Sequence, residues 1–339
     1  MKKEKLIDLG EQGIIALFES LSKDLPSFPQ IVKGIGDDTA VLDMENKYLL
    51  ITSDVLIENV HFDWKWFNPF QLGYRSLAVN LSDIAAMGGE ARYFLVSISL
   101  PRKFLKESLK ELIAGMKSLA SHYSLALIGG DTVASPKTII NITVIGQVDK
   151  DKILFRSGAQ VGDAILVSSH LGEAAAGLAL LKKDLTSENP LFSQLTLAHL
   201  LPQPELDLAN CLANTKNVHA AIDISDGIAK DLNLICEASG VGARIHQDLL
   251  PVSRACYEAA HFLKEDPINW ALQGGEDYGL LFTVPKDQVE NIKKIVSVAL
   301  NRKLYLIGEI IKEGVYLDTE KLNIGGFDHF REKTSLKKP

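Results

Sequence analysis

Cysteine is scarce in this sequence. The 339 residues contain three cysteines, Cys211, Cys236 and Cys256, at wide spacings. A disulfide framework needs an even number of cysteines and a zinc site needs closely spaced ligands, so the sequence favours neither. We therefore expect a protein of the reducing cytoplasm.

Long apolar runs and an excess of positive charge are also lacking. No apolar run approaches the roughly 20 residues that span a bilayer. Lysine and arginine number 36 against 43 aspartates and glutamates, and the resulting net charge of −7 disfavours binding to nucleic acid phosphates. Residues 1–21 carry acids within their apolar pattern and lack a small-residue cleavage site, so they predict an amphipathic helix rather than a signal peptide. We expect neither a membrane nor a nucleic acid as partner.

The composition and length are those of a globular protein with two domains. Hydrophobic residues make up 46% and charged residues 23%, and the length suits two domains of roughly 150 residues. Alternating strand and helix patterns predict an α+β or mixed α/β fold. A polar segment at 151–163 divides the chain into domains 1–150 and 151–339. Strands are predicted at 48–53, 94–100, 139–148, 164–168, 221–225, 278–284 and 304–311, and helices at 71–87, 104–122, 227–239 and 287–300.

An acidic residue follows a short apolar segment, beside glycine, serine or threonine, at five places. The segments are 34–42 (GIGDDTAVL), 51–55 (ITSDV), 127–132 (LIGGDT), 221–227 (AIDISDG) and 272–279 (LQGGEDYG). Taken singly, each is explained by a turn or a helix N-cap at the end of a strand. Asp83 differs, because it lies within an apolar helical pattern and a buried carboxylate needs a partner.

Taken together, these acids indicate a nucleotide site with several metal ions. Carboxylate oxygens are the ligands that Mg²⁺ prefers, and adjacent glycines let backbone N–H groups approach phosphate. The usual nucleotide motifs are absent: the sequence has no P-loop, no HRD and no DFG, and segment 34–39 has Thr39 in place of the third glycine of a dinucleotide fingerprint.

Seven ordered motifs resemble one known family. They are the segments 34–42, 52–62, 72–92, 127–132, 156–163, 221–227 and 273–278. In order and spacing they are similar to the thiamine-monophosphate kinases, members of the aminoimidazole-ribotide synthetase superfamily, over residues 8–330. The resemblance implies an α+β protein with an N-terminal sheet domain that forms a homodimer, a C-terminal α/β sandwich domain and an ATP cleft between them. It also implies transfer of a phosphoryl group from ATP to thiamine monophosphate, with several Mg²⁺ ions and K⁺ as a further requirement.

The same resemblance implies roles for individual residues. The implied metal ligands are Asp38, Thr52, Ser53, Asp54, Asp83, Asp131, Asp223 and Asp226, with Asp37 in a supporting position. The implied nucleotide contacts are Tyr123, Gly130, Asp131, Arg156 and Ser225, and the implied substrate contacts are His61, Glu276 and Phe327. Outside these motifs, a lone histidine, arginine or C-terminal phenylalanine would be read as an ordinary surface or core residue. No general base is assigned, since a phosphate monoester oxygen is already anionic near neutrality.

Two alternatives stay open. The first is a sister enzyme that uses ATP with another acceptor, such as an aminoimidazole-ribotide synthetase. A selenophosphate synthetase would have a reactive cysteine near the N-terminus and a hydrogenase-maturation relative one at the C-terminus, and this sequence has neither. The second alternative is a non-catalytic protein that binds Mg²⁺ and nucleotide, which the complete ligand set disfavours.

Overall fold

The computed structural model describes residues 6–23, 25–185 and 189–324. The elements of the first half are α1 (Leu6–Lys23), β1 (Ile31–Lys33), β2 (Ala40–Met44), β3 (Lys47–Ile57), α2 (Pro69–Ala86), β4 (Glu90–Leu100), α3 (Lys106–His122), β5 (Ala126–Ala134) and β6 (Ile139–Asp149). These strands form one sheet in the order β1-β2-β3-β6-β4-β5. Its pairs are antiparallel except β4 and β5, whose parallel pairing follows from the crossover through α3.

The second half forms a seven-stranded sheet and most of the helices. Its elements are β7 (Ala164–Val167), α4 (Glu173–Lys182), α5 (Pro190–Leu200), α6 (Leu206–Thr215), β8 (Ala220–Asp223), α7 (Ile228–Ser239), β9 (Gly242–Ile245), α8 (Arg254–Leu263), α9 (Pro267–Gln273), β10 (Leu280–Val284), α10 (Val289–Leu300), β11 (Tyr305–Ile311), β12 (Val315–Leu317) and β13 (Glu320–Lys321), with 3-10 turns at Gln247–Leu249 and Lys286–Gln288. The strand order is β13-β12-β9-β11-β7-β10-β8. Every residue of β7, β8 and β10 is buried, so this sheet is covered on both faces.

Helix α2 lies between the two sheets. Its start is fixed by a capping box, in which Asn68 accepts from the N–H of Gln71 and the Gln71 side chain accepts from the N–H of Asn68. The helix packs on β3 and β6 of the first sheet and on β8 of the second. Close packing against α3 requires glycine at residue 73, where a Cβ would lie 1.9 Å from the carbonyl oxygen of Leu112. Most of α2 is therefore buried, including several of its polar side chains.

The α+β class is confirmed, and the helices predicted at 71–87, 104–122, 227–239 and 287–300 begin and end within two residues of those positions. The prediction that strands end before the acids is wrong for three segments: segment 272–279 follows helix α9 rather than a strand, while Asp54 lies within β3 and Asp131 within β5. In β3 and β5, apolar and β-branched residues continue on the far side of the acid, so the strand continues as well. None of the helices within the described ranges is long and apolar enough to span a bilayer.

Candidate active site

Three carboxylates meet where α2 contacts the second sheet. Asp38 lies in the loop before β2, Asp83 in the last turn of α2 and Asp223 at the end of β8. One oxygen of each carboxylate lies within 4.8 Å of the corresponding oxygens of the other two. Residues from both halves of the chain therefore form one cluster, which we call the carboxylate cluster.

Each member of the carboxylate cluster is held by a neighbouring donor. The Thr52 hydroxyl donates to Asp83, and the Ser82 hydroxyl donates to Asp223 at 2.6 Å. Arg156 Nη2 donates to Asp38 Oδ1 at 2.8 Å, and the two side chains form a largely buried ion pair. Asp38 Oδ2 is buried without a hydrogen-bond partner in the described part of the chain, as expected of an oxygen that faces a bound cation.

Burial and mutual repulsion raise the pKa of all three carboxyl groups. Burial is the largest cause, and it raises the pKa of Asp38 to about 7 and that of Asp223 to about 6. The pKa of Asp83 is raised well above its usual range, because its burial is reinforced by the charges of Asp54 and Asp223. A divalent cation would relieve this repulsion, and a donor set made only of oxygens fits Mg²⁺. The residues present thus fit the metal that the sequence predicts.

Asp54 and Asp226 flank the cluster. The pKa of Asp54 is raised to about 6, first by burial and then by the charge of Asp226. The backbone N–H of Asp54 donates to Asn80 Oδ1 at 2.9 Å, which ties β3 to α2. Asp226 forms an ion pair at 2.6 Å with Lys230, which lies in the first turn of α7. Five of the predicted aspartate ligands are therefore close enough to influence one another.

The Ser53 side chain lies on the other face of β3 from Thr52 and Asp54, because side chains alternate along a strand. Its hydroxyl lies 3.0 Å from the hydroxyl of Thr143 and accepts from Asn141 Nδ2 at 3.1 Å. The Ser53 hydroxyl therefore belongs to the outer face of the first sheet, and the cluster receives the side chains of its two neighbours.

Asp131 and Gly130 lie away from the cluster within one chain. The register pairs Asp131 with Ser97, Ser97 with Asn141 and Asn141 with Val55, so Asp131 is three strands, roughly 14 Å, from β3. Gly130 has a φ of 147°, and a Cβ there would lie 1.9 Å from a carbonyl oxygen of β4. The glycine is thus already required by the pairing of β5 with β4.

Tyr123 lies in a different groove. Its hydroxyl donates to the carbonyl oxygen of Pro204 at 3.1 Å, and its ring lines a cavity of about 840 Å³ together with Glu90, Asp207 and Cys211. The aspartates of the carboxylate cluster are not among the lining residues of that cavity. Tyr123 is therefore not brought to the carboxylate cluster by its own chain.

Glu276 belongs to a second charged cluster, next to the first. Its carboxylate accepts from Arg75 Nη2 and lies 3.1 Å from His199 Nδ1. Burial alone would raise the pKa of Glu276, but Arg75 and His199, with a contribution from His61, lower it to about 2. His61 Nδ1 accepts from the N–H of Ile57 at 2.9 Å, so in the neutral ring Nε2 carries the proton. The two predicted substrate residues within the described ranges therefore lie near each other, while Phe327 lies outside those ranges.

The loop that carries Glu276 is attached to the turn that carries Asp223 and Asp226. The N–H of Glu276 donates to the carbonyl oxygen of Ser225 at 2.8 Å, and the N–H of Tyr278 donates to that of Ile224 at 2.9 Å. The pKa of the Tyr278 hydroxyl is raised well above its usual range by burial, and the charges of Asp54 and Asp223 act in the same direction. The two charged clusters are thus neighbours, connected by backbone hydrogen bonds between this loop and this turn.

Four further polar residues at the site were not predicted from the sequence: Arg75, Asn80, Ser82 and His199. The first three are buried polar residues on α2, and each bonds to a group outside the helix. Their signal was visible in the sequence, because charged and amide side chains are unusual within an otherwise apolar helix. His199 gave no such signal, because histidine is common at both buried and exposed positions.

Family models and curated relatives match most of the chain. The model of the AIR synthase related protein N-terminal domain matches residues 36–148, and that of the C-terminal domain matches residues 160–318. The thiamine-monophosphate kinase of Bacillus subtilis is 35% identical over 309 residues, which cover 88% of this chain and 93% of the relative. That of Aquifex aeolicus is 34% identical over 327 residues, covering 96% and 100%.

Solved structures extend the likeness to three dimensions. AaThiL complexed with AMPPCP and TMP superposes with a TM-score of 0.87 at 32% identity, covering 97% of this chain and 100% of that one. The thiamine-monophosphate kinase of Stenotrophomonas maltophilia gives 0.76 at 35% identity, covering 91% and 97%. The hydrogenase maturation protein HypE of E. coli, at 23% identity and a TM-score of 0.67, shares the fold. The chain therefore belongs to the thiamine-monophosphate kinase family of AIR synthase related proteins.

Proposed function

We propose that this chain catalyses the ATP-dependent phosphorylation of thiamine monophosphate to thiamine diphosphate. The observation that carries the proposal is the carboxylate cluster, whose oxygens lie within 4.8 Å of one another beside the Arg156 cation. The names of the relatives, and the AMPPCP and TMP bound to AaThiL, support the same reaction.

The polyphosphate of ATP would be bound through metal ions at the carboxylate cluster. Asp38, Asp83 and Asp223 would hold Mg²⁺, with Asp54 and Asp226 as further ligands. Bound Mg²⁺ supplies the positive charge that lets two phosphate anions approach each other. Arg156, which pairs with Asp38 in this structure, would add a fixed cation next to the phosphates.

The reaction would be a direct in-line transfer. An anionic phosphate oxygen of thiamine monophosphate attacks the γ-phosphorus of ATP, one P–O bond forms, the bond to the β-phosphate oxygen breaks and ADP leaves. The attacking oxygen carries no proton near neutrality, so the chain needs no general base. Its residues contribute by holding both substrates in line and by stabilising charge.

The thiamine end of the substrate would be bound by His61 and Glu276. The Glu276 carboxylate is ionised at neutral pH because its pKa is about 2, so it can accept from the aminopyrimidine or attract the cationic thiazolium. Each of its oxygens has a second lone pair besides the one used by Arg75 or His199. Phe327 is proposed to stack on the same substrate, and Ser225 to contact the nucleotide.

We also propose a homodimer formed through the first sheet. All nine residues of β5 are exposed, and its outer edge is unpaired within the described part of the chain. Leu127, Ile128 and Val133 are each more than half exposed, which is unusual for a strand of a stable monomer. In that dimer Gly130 would contact the nucleotide phosphate, Asp131 would bind metal and Tyr123 would contact the adenine. A single chain does not bring these three residues to the carboxylate cluster.

Further parts of the proposal concern organisation. We place the domain boundary at residue 150, with domains 1–150 and 151–339 and the ATP cleft between them. The two sheets, whose strands end at Asp149 and begin at Ala164, support this division. All three cysteines are free thiols, which supports a cytoplasmic location, and K⁺ is proposed as a further requirement.

A product assay tests the proposal. Purified protein is incubated with ATP, Mg²⁺ and thiamine monophosphate, and the products are identified by chromatography and ³¹P NMR, with K⁺ or Na⁺ as the monovalent ion. We expect equal amounts of thiamine diphosphate and ADP. Equal or faster turnover of free thiamine or of an aminoimidazole precursor would overturn the assignment, as would ADP release that needs no acceptor.

A further inference from the structure

Arg75 is a buried cation in the middle of α2. Its side chain is 1% exposed, and it is among the largest fully buried side chains of the protein. A buried charge is strongly unfavourable unless it is paired and hydrogen-bonded. The burial of the Arg75 charge therefore depends on the groups that pair with it.

Those partners come from three separate segments. Arg75 Nη2 donates to the Glu276 carboxylate and Nη1 donates to the backbone oxygen of His199. The guanidinium carbon lies 5.8 Å from the ring centroid of Phe67 and 5.7 Å from that of Tyr278. Because its two nitrogens diverge in a fixed fork, the guanidinium sets the position of the Glu276 side chain relative to the end of α5.

The backbone around Glu276 needs such support. Glu276 has a φ of 70° and Tyr278 a φ of 49°, and both values lie in the left-handed region that side chains other than glycine disfavour. Two such residues in one short segment persist only when surrounding contacts hold them. Arg75 supplies contacts to both of them, an ion pair to the first and a ring contact to the second.

The same helix also reaches the carboxylate cluster. Asp83 follows Arg75 by eight residues on α2, which corresponds to about 12 Å along the helix axis. Ser82, next to Asp83, donates to Asp223. One rigid helix therefore fixes both the metal-binding end of the site and the loop that carries Glu276.

We propose that Arg75 is a positioning residue for the thiamine moiety. It acts through Glu276, whose carboxylate it holds at a fixed distance from the phosphate-binding end of the site. This inference rests on the proposed function, and it assigns to Arg75 a role in substrate affinity that a purely structural arginine would lack.

The test compares Arg75→Met, Glu276→Gln and the double variant with the natural protein. Glu276→Gln leaves the buried charge of Arg75 without its anionic partner, and Arg75→Met removes the cation from a carboxylate that is 31% exposed. Both should lower the melting temperature, Glu276→Gln by more. Each should also raise the KM for thiamine monophosphate about tenfold to a hundredfold, the range for losing a hydrogen bond to a charged group. The KM for ATP should change by less than about threefold. Arg75→Lys, which keeps the charge but not the fork, should fall between Arg75→Met and the natural protein.

The double variant separates positioning from stability. Removing both charges should restore much of the melting temperature, while the KM for thiamine monophosphate should stay as high as in Glu276→Gln. A purely structural Arg75 would instead make Arg75→Met lower the melting temperature while the KM for thiamine monophosphate keeps its natural value, and that result would overturn the inference. The matched control is Arg302→Met, which removes the partner of buried Glu205 elsewhere in the fold; it should lower the melting temperature and leave the KM unchanged.

Natural protein without any turnover of thiamine monophosphate would refute the proposed function, whereas active natural protein with an unaffected Arg75→Met would refute the inference.

Discussion

The carbonyl oxygen of Ser225 occupies the space in which a side chain at residue 275 would lie. A Cβ on Gly275 would be 2.1 Å from that oxygen, which also accepts from the N–H of Glu276 at 2.8 Å. Real Cβ atoms essentially never approach an oxygen so closely, and backbone on both sides cannot give way as a flexible side chain would. The contact between the loop at 272–279 and the turn at 221–227 therefore depends on glycine.

We expect Gly275→Ala to separate this loop from the turn. The destabilisation should be about 1–3 kcal/mol, typical of forced overpacking, and the KM for thiamine monophosphate should rise because Glu276 moves with the loop. Thermal unfolding and steady-state kinetics measure the two effects. Gly34→Ala is the control, since nothing lies within 4 Å of a Cβ at Gly34 and the melting temperature should hardly change. A stable Gly275→Ala protein with unaltered kinetics would show that the loop does not need this contact.

Asp83→Asn and Asp223→Asn test whether the cluster binds metal. Each change removes one charge from a group of carboxylates that repel one another, so the melting temperature of the metal-free protein should stay level or rise. Activity should fall by about two orders of magnitude or more, because a charged ligand of the metal is lost. The stabilisation by Mg²⁺ and ATP should shrink, since a ligand stabilises a protein only through its preference for the folded state.

Asp163→Asn is the matched control for these two variants. Asp163 is also buried, but it accepts from the N–H of Gln160 and contacts His219, both at 2.8 Å and outside the cluster. This variant should have a lower melting temperature and keep the full shift with Mg²⁺ and ATP. If Asp83→Asn and Asp223→Asn behaved in the same way as Asp163→Asn, the cluster would be architecture rather than a metal site.

The raised carboxyl pKa values predict how the stability of the metal-free protein depends on pH. Asp38 has a pKa of about 7 and Asp54 and Asp223 of about 6 in the folded protein, against about 3.9 in an unfolded chain. Between these values the folded state binds more protons than the unfolded state, so the contribution of these groups to the free energy of unfolding decreases as pH rises. The free energy of unfolding of the metal-free protein should therefore decrease as the pH rises from about 4 to about 7.

Mg²⁺ should reverse this loss, because the ionised carboxylates are the form that binds metal. The gain in melting temperature on adding Mg²⁺ should be small near pH 5 and large near pH 8, and Asp223→Asn should flatten the difference. Melting curves with EDTA and with Mg²⁺ across this range provide the measurement. A gain that is equal at both ends would mean that these carboxyl groups do not titrate with metal binding.

Local patterns predicted much of the fold because their causes are local. The helix predicted at 71–87 forms as Pro69–Ala86, since a capping box and a run of apolar residues fix both its type and its start. The ends of β3 and β5 were predicted wrongly. An aspartate was taken as the end of a strand, although Val55 and Val133 continue the β-branched pattern beyond it.

Contacts between distant residues could not be derived from spacing. Arg75 and Glu276 are 201 residues apart in the chain, and only the packing of α2 against the second half brings them together. The convergence of Asp38, Asp83 and Asp223 is of the same kind. The loop before β2, helix α2 and strand β8 of the second sheet supply one residue each. Sequence motifs indicated the chemistry of the site and the resemblance named Asp38, Asp83 and Asp223, whereas their convergence is seen only in the tertiary structure.

The homodimer is tested by a charge placed on β5. Ile128 is 53% exposed on this edge strand, and an arginine there would be desolvated in an interface but solvated in a monomer. We expect the natural protein to have twice the 37.2 kDa mass of one chain by light scattering, and Ile128→Arg to have the mass of a single chain. Val298→Arg is the control, because Val298 is 79% exposed on α10 of the second half and should leave the dimer intact. A natural protein that is monomeric at micromolar concentration, or an Ile128→Arg protein that remains dimeric, would place the interface elsewhere or exclude it.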